Sequence, residues 1–174
     1  MLLALPLTLA GCGTIPVGSV AIPDIAVTVP ATFQLPLGLP VAVTSPVVYT
    51  KENKFGGSGI PSLVNNVGVE GTARYTGAGD VKTLQVFVRQ SLTNLPSSCL
   101  DLTQYVVCLG DESVQAVGTI DFTKSNPAPV SLGGPVLLSA AKAGEGYFGV
   151  QATASNVVAG DTLELTNLRG VAKF

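Results

Sequence analysis

From Tyr49 onward the chain alternates apolar and polar positions with a period of two. Val67, Val69, Gly71, Ala73 and Tyr75 share one parity, as do Leu84, Val86 and Val88 in VKTLQVFVRQ. Val114, Ala116, Gly118, Ile120 and Phe122 follow, then Phe148, Val150, Ala152 and Ala154, then Leu163 and Leu165. Successive side chains of a strand point to opposite faces, so each run predicts a strand buried on one side. Gly, Pro, Asn and Asp clusters bound the runs at intervals of roughly 8 to 15 residues. The pattern is that of an all-β fold: an antiparallel β-sandwich, immunoglobulin-like or jelly-roll-like.

Two turns share a chemistry. Gly77-Ala78-Gly79-Asp80 leads into one strand and Ala159-Gly160-Asp161 into another, with Gly tolerating positive φ and Asp hydrogen-bonding back to the turn. Helical material is scarce. Ile60 to Asn66 and Ser139 to Gly144 have room for one turn each, without an apolar stripe long enough to pack as a full helix. The stretch TKENKFGGSGIPSLVNN, residues 50–66, is the most polar and Gly-rich and reads as a mobile loop.

Ahead of these runs the pattern changes. Between Gly13 and Pro46 there is a single charge, Asp24, and prolines stand at 16, 23, 30, 36, 40 and 46, which excludes a helix. Residues 12–22 read as a tether. Beyond it Ile25, Val27, Val29, Phe33, Leu35, Leu37, Leu39, Val41 and Val43 fall on alternate positions and call for burial. Residues 23–50 therefore read as an extended, Pro-rich arm packed at a sheet edge. An apolar arm that its own domain does not cover is an interaction site, so 23–46 is also the candidate contact for a partner protein or for lipid.

Composition narrows the classes. Nine basic and 11 acidic residues, scattered singly, give a net charge of −2, so no basic stripe exists to neutralise phosphates and nucleic acid is not an expected partner. Pro and Gly interrupt every apolar stretch short of the roughly 20 residues that a membrane-spanning helix needs. At 174 residues the prior is one domain.

The chain opens MLLALPLTLAGCG, an uncharged apolar run ending in Leu9-Ala10-Gly11-Cys12. This resembles the lipobox of bacterial lipoproteins, in which Leu, a small residue and Gly precede a Cys that is lipidated and becomes the first residue of the mature protein. The resemblance implies a signal over residues 1–11, a lipid on Cys12 and a body over 23–174. It also implies the cell envelope, at the outer membrane or cell surface, with the membrane itself as a partner through that lipid. No basic n-region precedes the apolar run, which sets the expectation of a start upstream of Met1. Two or three acyl chains hold stably where one holds marginally. With Cys12 given to lipid, Cys99 and Cys108 remain as an even pair in an exported chain, and a disulfide is the simplest assignment.

Catalytic chemistry is thinly supplied. The chain has no histidine, which removes Ser-His-Asp and Cys-His catalysis and histidine-bound zinc. Ser139-Ala140-Ala141-Lys142 matches S-x-x-K but has no S-D-N or K-T-G partner. Asp101, Asp111, Glu112 and Asp121 are the carboxylates available to a glycosidase-like pair or a ligand site, and Asp111 with Glu112 to calcium, without a D-x-D-x-D-G loop. No cofactor or resident metal is expected. The expected function is non-catalytic, a lipid-anchored envelope protein presenting a β-sandwich to another envelope component. The alternative is a small secreted carboxylate-dependent enzyme or carbohydrate-binding accessory protein.

Overall fold

The computed structural model describes residues 16–28, 46–57, 59–153, 157–158 and 160–173. They form an antiparallel β-sandwich of two sheets. Cys12 and residues 29–45, the middle of the expected arm, lie outside the described residues.

The five-stranded sheet is built on β11 (Thr162–Lys173), which pairs on one side with β4 (Asn66–Thr76). Its other side is shared end to end by β1 (Pro16–Ala21) and β2 (Ile25–Thr28). Beyond β4 comes β9 (Ala128–Gly133). The register of β11 against β4 shifts between Thr166 and Arg169, where Asn167 adopts φ 53°. This bulge coincides with the break between β1 and β2: Asn167 N–H donates to Asp24 Oδ1 and Ile22 N–H to the Leu168 carbonyl. A bulge bends its strand and increases its twist, and Pro23 occupies the gap where no ladder donor is required.

The six-stranded sheet runs β6 (Cys99–Asp101), β7 (Tyr105–Cys108), β3 (Val47–Thr50), β10 (Tyr147–Thr153), β5 (Thr83–Arg89) and β8 (Ala116–Asp121). Between the sheets lies the main core, with Val67, Val69, Leu163 and Leu165 from one side and Leu84, Val86, Val88 and Phe148 from the other. A second cluster of Val47, Tyr49, Phe87, Val106 and Cys108 covers the far face of the six-stranded sheet. This two-sided burial explains the unbroken Val86-Phe87-Val88 in β5, since a strand covered on both faces has no reason to alternate.

Several expectations need correction. Residues 16–21, read as tether, are strand β1. The segment 47–50, read as part of an edge arm, is β3, an interior strand between β7 and β10; Ile25 and Val27 of β2 are buried on an edge strand as expected. The run from Val114 to Phe122 does not keep one face. Ser113–Gln115 form a 3-10 turn, and the β5–β8 register shifts between Val86 and Phe87, which turns Val117 into the main core and leaves Ala116 against the outer cluster.

There is also a full helix, α1 (Pro135–Ala143), starting four residues before the turn expected at Ser139. Pro135 stands in its first turn, where a missing N–H costs nothing, and Gly144 ends it at φ 72°, donating to the Ala140 and Ala141 carbonyls. Leu137, Ala140 and Ala141 plug one end of the main core. The stretch 50–66 is not loose where it is described. Ile60 N–H donates to Ala141 O, Gly57 N–H to Gly144 O and Lys54 N–H to Gly146 O, while Asn53 bonds Gly144 O and Gly146 N–H. The buried Lys54 ammonium donates to Glu52 and to the Asp24 carbonyl, tying this loop to the β1–β2 break.

Candidate functional site

Strand alternation places Phe87 and Arg89 of β5 on the outer face of the six-stranded sheet, beside Tyr49 of β3. Two connections fold over that face: 90–98 after β5 and 109–115 after β7. The second delivers Glu112, 4% exposed, into the outer cluster. There Arg89 donates through Nε to Glu112 Oε2 (2.9 Å) and through Nη2 to Oε1 (2.6 Å), and Tyr49 Oη donates to Oε2 (2.7 Å). The guanidinium carbon lies 5.6 Å from the centre of the Tyr49 ring. This two-pronged geometry fixes direction as well as charge.

The electrostatic consequences follow the geometry. Burial, and then the adjoining Glu112 carboxylate, push the Tyr49 phenol far above the ordinary tyrosine range, so it remains a donor. The hydrogen bond to Glu112 raises Arg89 further above its already high value, against the opposing effect of burial. A buried pair of this kind contributes little net stability over an apolar substitute, but removing one partner strands the other.

Beside this pair is an open cleft of about 500 Å³ lined by Arg89, Gln90, Ser91, Thr93, Val114, Gln115 and the first turns of α1 at Pro135, Val136 and Ser139. Gln90 Nε2 donates to Ser139 Oγ (2.5 Å), and the Ser91 and Thr93 hydroxyls are 2.7 Å apart. The cleft presents amides, hydroxyls and small apolar surfaces, and the one cation in its lining, Arg89, is already held by Glu112. Such a lining suits a neutral, hydroxyl-rich ligand better than a strongly charged one. Ser139 of the S-x-x-K match is thus engaged by Gln90 on the cleft wall.

The four singled-out carboxylates do not converge. Asp101, on edge strand β6, pairs with Lys51. Asp121 ends β8 at the opposite edge of the same sheet, five strand spacings or about 24 Å away, and accepts from the Thr123 amide (2.9 Å) and hydroxyl (2.5 Å). Those bonds hold its carboxyl below the usual range. Asp111 is exposed and accepts from the Ser113 amide (2.8 Å), which likewise lowers it. Glu112 has both oxygens committed to Arg89 and Tyr49. A paired acid–base arrangement is therefore not formed by these residues, and Glu112, held by Arg89 and Tyr49, is not arranged with Asp111 as a calcium site.

Cys99 and Cys108 form a disulfide, with Cα atoms 4.0 Å apart, pairing the neighbouring strands β6 and β7 at that register. Cys99 Sγ sits 4.0 Å from Glu112 Oε1, so the staple closes one wall of the buried ion pair. The two sulfurs and a Glu112 oxygen lie within 4.8 Å of one another, but sulfurs joined to each other supply no thiolate ligand.

Arg89 and Tyr49 were not singled out from the sequence. The usable signal was Val86-Phe87-Val88 followed by Arg89: three consecutive apolar residues imply a covered second face, and an arginine of Phe87's parity on that face needs a carboxylate.

At the other end of the sandwich a second carboxylate does comparable work. Asp161, 1% exposed, accepts from the Val158 amide (2.6 Å), the Ala78 amide (2.9 Å) and the Gly79 amide (3.4 Å), and from the Tyr75 hydroxyl. Burial alone would raise its pKa, but the Tyr75 hydroxyl and the backbone donors outweigh it and hold the group low. Burial and Asp161 in turn push the Tyr75 phenol well above its ordinary value. The two Gly-Asp turns are thus joined by one side chain. Comparison with protein-family models, with curated proteins and with solved structures finds no match for this chain.

Proposed function

We propose that this chain is a lipid-anchored protein of a bacterial cell envelope, at the outer membrane or cell surface, with a non-catalytic structural or binding role. The observation that carries the reading is Leu9-Ala10-Gly11-Cys12 at the end of an apolar, uncharged run. Two features support it. Cys99 and Cys108 are joined to each other, as suits an oxidising compartment, leaving Cys12 as the remaining thiol. The first described strand begins at Pro16, four residues after Cys12, a spacing compatible with an N-terminal anchor.

The test is the intact mass of the protein isolated from its native host, together with fractionation of Cys12→Ser. A mass that begins at Cys12 and includes acyl chains, and release of the variant from membranes, are the expected results. An unmodified Cys12, or unchanged fractionation of the variant, overturns the reading.

A second reading, a carbohydrate-binding accessory protein, is favoured by the amide- and hydroxyl-lined cleft of Gln90, Ser91, Thr93, Gln115 and Ser139. Calorimetric titration with peptide-free peptidoglycan glycan strands tests it. Binding that is lost in Gln90→Ala/Gln115→Ala supports it, and absence of binding to the parent protein removes it.

A further inference from the structure

The strand ladder assigns a pole to the anchor. Pro16 pairs with Lys173, and Lys173 with Asn66, so β1 starts at the pole where β4 also starts. Four residue steps separate Cys12 from Pro16, a reach of about 14 Å when fully extended. Strand β4 has 11 residues, which at about 3.4 Å each place Thr76 at the opposite pole roughly 35 Å away. The far pole, with Thr76, Asp80 and Asp161, is beyond that reach.

Among the described residues the pole within reach carries the two most exposed large apolar side chains, while Val20, 70% exposed, lies on the flank of the sandwich along edge strand β1. Leu63, 75% exposed, sits three residues before Asn66, in a turn closed by Val64 N–H to Pro61 O while Val64 itself is buried. Val114, 73% exposed, precedes β8 where that strand meets the Arg89 end of β5. Leu102, 47% exposed, lies in the turn beyond β6, next to Tyr105, which pairs with Thr50 at the start of the 51–65 connection. Val157 and Val158 near the far pole are 37% and 38% exposed, about half the exposure of Leu63 and Val114. Exposed apolar groups gain free energy on leaving water, and an anchor on a short tether keeps them at high effective concentration against lipid.

We propose that the domain rests on the bilayer through this pole, with Leu63, Val114 and Leu102 against the lipid surface and the Asp161 pole held away from it. The inference rests on lipidation of Cys12, and the occupant it names for this surface is a lipid bilayer.

The chain has no tryptophan, so single replacements report their own surroundings. The full acylated protein carrying Leu63→Trp, Val114→Trp or Thr76→Trp is reconstituted into phosphatidylethanolamine/phosphatidylglycerol vesicles, with or without brominated acyl chains. All three sites are exposed and tolerate the larger ring. The expected result is blue-shifted emission from Leu63→Trp and Val114→Trp, lost with brominated lipid, together with an unshifted, unquenched Thr76→Trp. Flotation with vesicles but no quenching at Leu63→Trp or Val114→Trp, or equal quenching of Thr76→Trp, overturns the orientation and leaves the anchor standing. Failure to float, with a mass lacking acyl chains, overturns the anchor and the orientation together.

Discussion

The ring of Tyr49 lies across Gly149, its partner on the neighbouring strand β10, and fills the space that a side chain there would occupy. A Cβ at position 149 would come within 2.6 Å of the ring. The glycine is therefore the groove along which the phenol reaches Glu112.

Gly149→Ala is expected to displace Tyr49 and cost about 1–3 kcal/mol, as overpacking does in a filled core. Urea denaturation measures it. Tyr49→Phe/Gly149→Ala should cost no less than the single Ala variant, since Phe fills the same groove; recovery to parental stability would show that the hydroxyl and not the ring makes the conflict.

Glu112→Ala leaves the largely buried Arg89 without its carboxylate and is expected to cost about 3 kcal/mol or more. Tyr49→Phe removes only one donor from a carboxylate that keeps Arg89, with an expected cost of about 1–2 kcal/mol. Equal costs in urea titrations would show that the ion pair does not dominate the outer cluster.

Gly77→Ala places a methyl on the Asp161 carboxylate and is expected to loosen the same amides as Asp161→Ala. Each change should cost about 1.5–3 kcal/mol, the range for hydrogen bonds to a charged group. Hydrogen exchange should show the Ala78 and Val158 amides losing protection in both variants while those of β5 and β10 keep theirs.

Stability should decline at alkaline pH. The folded state holds the Tyr49 and Tyr75 protons above the value of about 10 at which unfolded tyrosines ionise. A group raised on folding contributes its full stability below its unfolded value and loses it as pH rises toward the native one. Asp161 acts in the opposite sense. Lowered on folding, it stabilises above about pH 4 and that contribution fades as pH falls through its native value. Urea midpoints should therefore fall from pH 9 to 11, less steeply in Tyr49→Phe/Tyr75→Phe. A flat midpoint over that range contradicts both phenol environments.

Replacing both Cys99 and Cys108 by Ser opens a short loop and is expected to cost about 2.5–3 kcal/mol by the chain-entropy argument, with the sandwich still folded. Circular dichroism and urea midpoints measure it. Loss of all cooperative unfolding would show that the staple is needed for the fold.

The strand content of the sandwich was legible because one face of most strands is wet: Val67 to Tyr75 and Leu163 to Leu165 alternate in sequence as they do in burial. Where both faces are covered, alternation disappears, and with it the signal for the outer cluster that holds Tyr49 and Arg89. The bulge at Val117 defeated the period by inserting one residue, which no local rule marks. For α1 the signal lay in its ends, Pro135 and Gly144, rather than in its short apolar stripe. Among the candidate site residues, sequence placed the disulfide correctly. The carboxylates failed because nearness along the chain says nothing about which edge of a sheet a residue reaches.

The order of strands also has a kinetic meaning. Among the described residues strands β1 and β2 find their partner only in β11, so the contact of Pro16 with Lys173 waits on nearly the whole described chain. A chain emerging from its N-terminus holds those early segments unpaired, and the five-stranded sheet closes last, with the loop-closure cost that slows non-local β-topologies. Until β11 is made, β1, β2 and β4 lack the strand that joins them, whereas every strand of the six-stranded sheet has already been delivered.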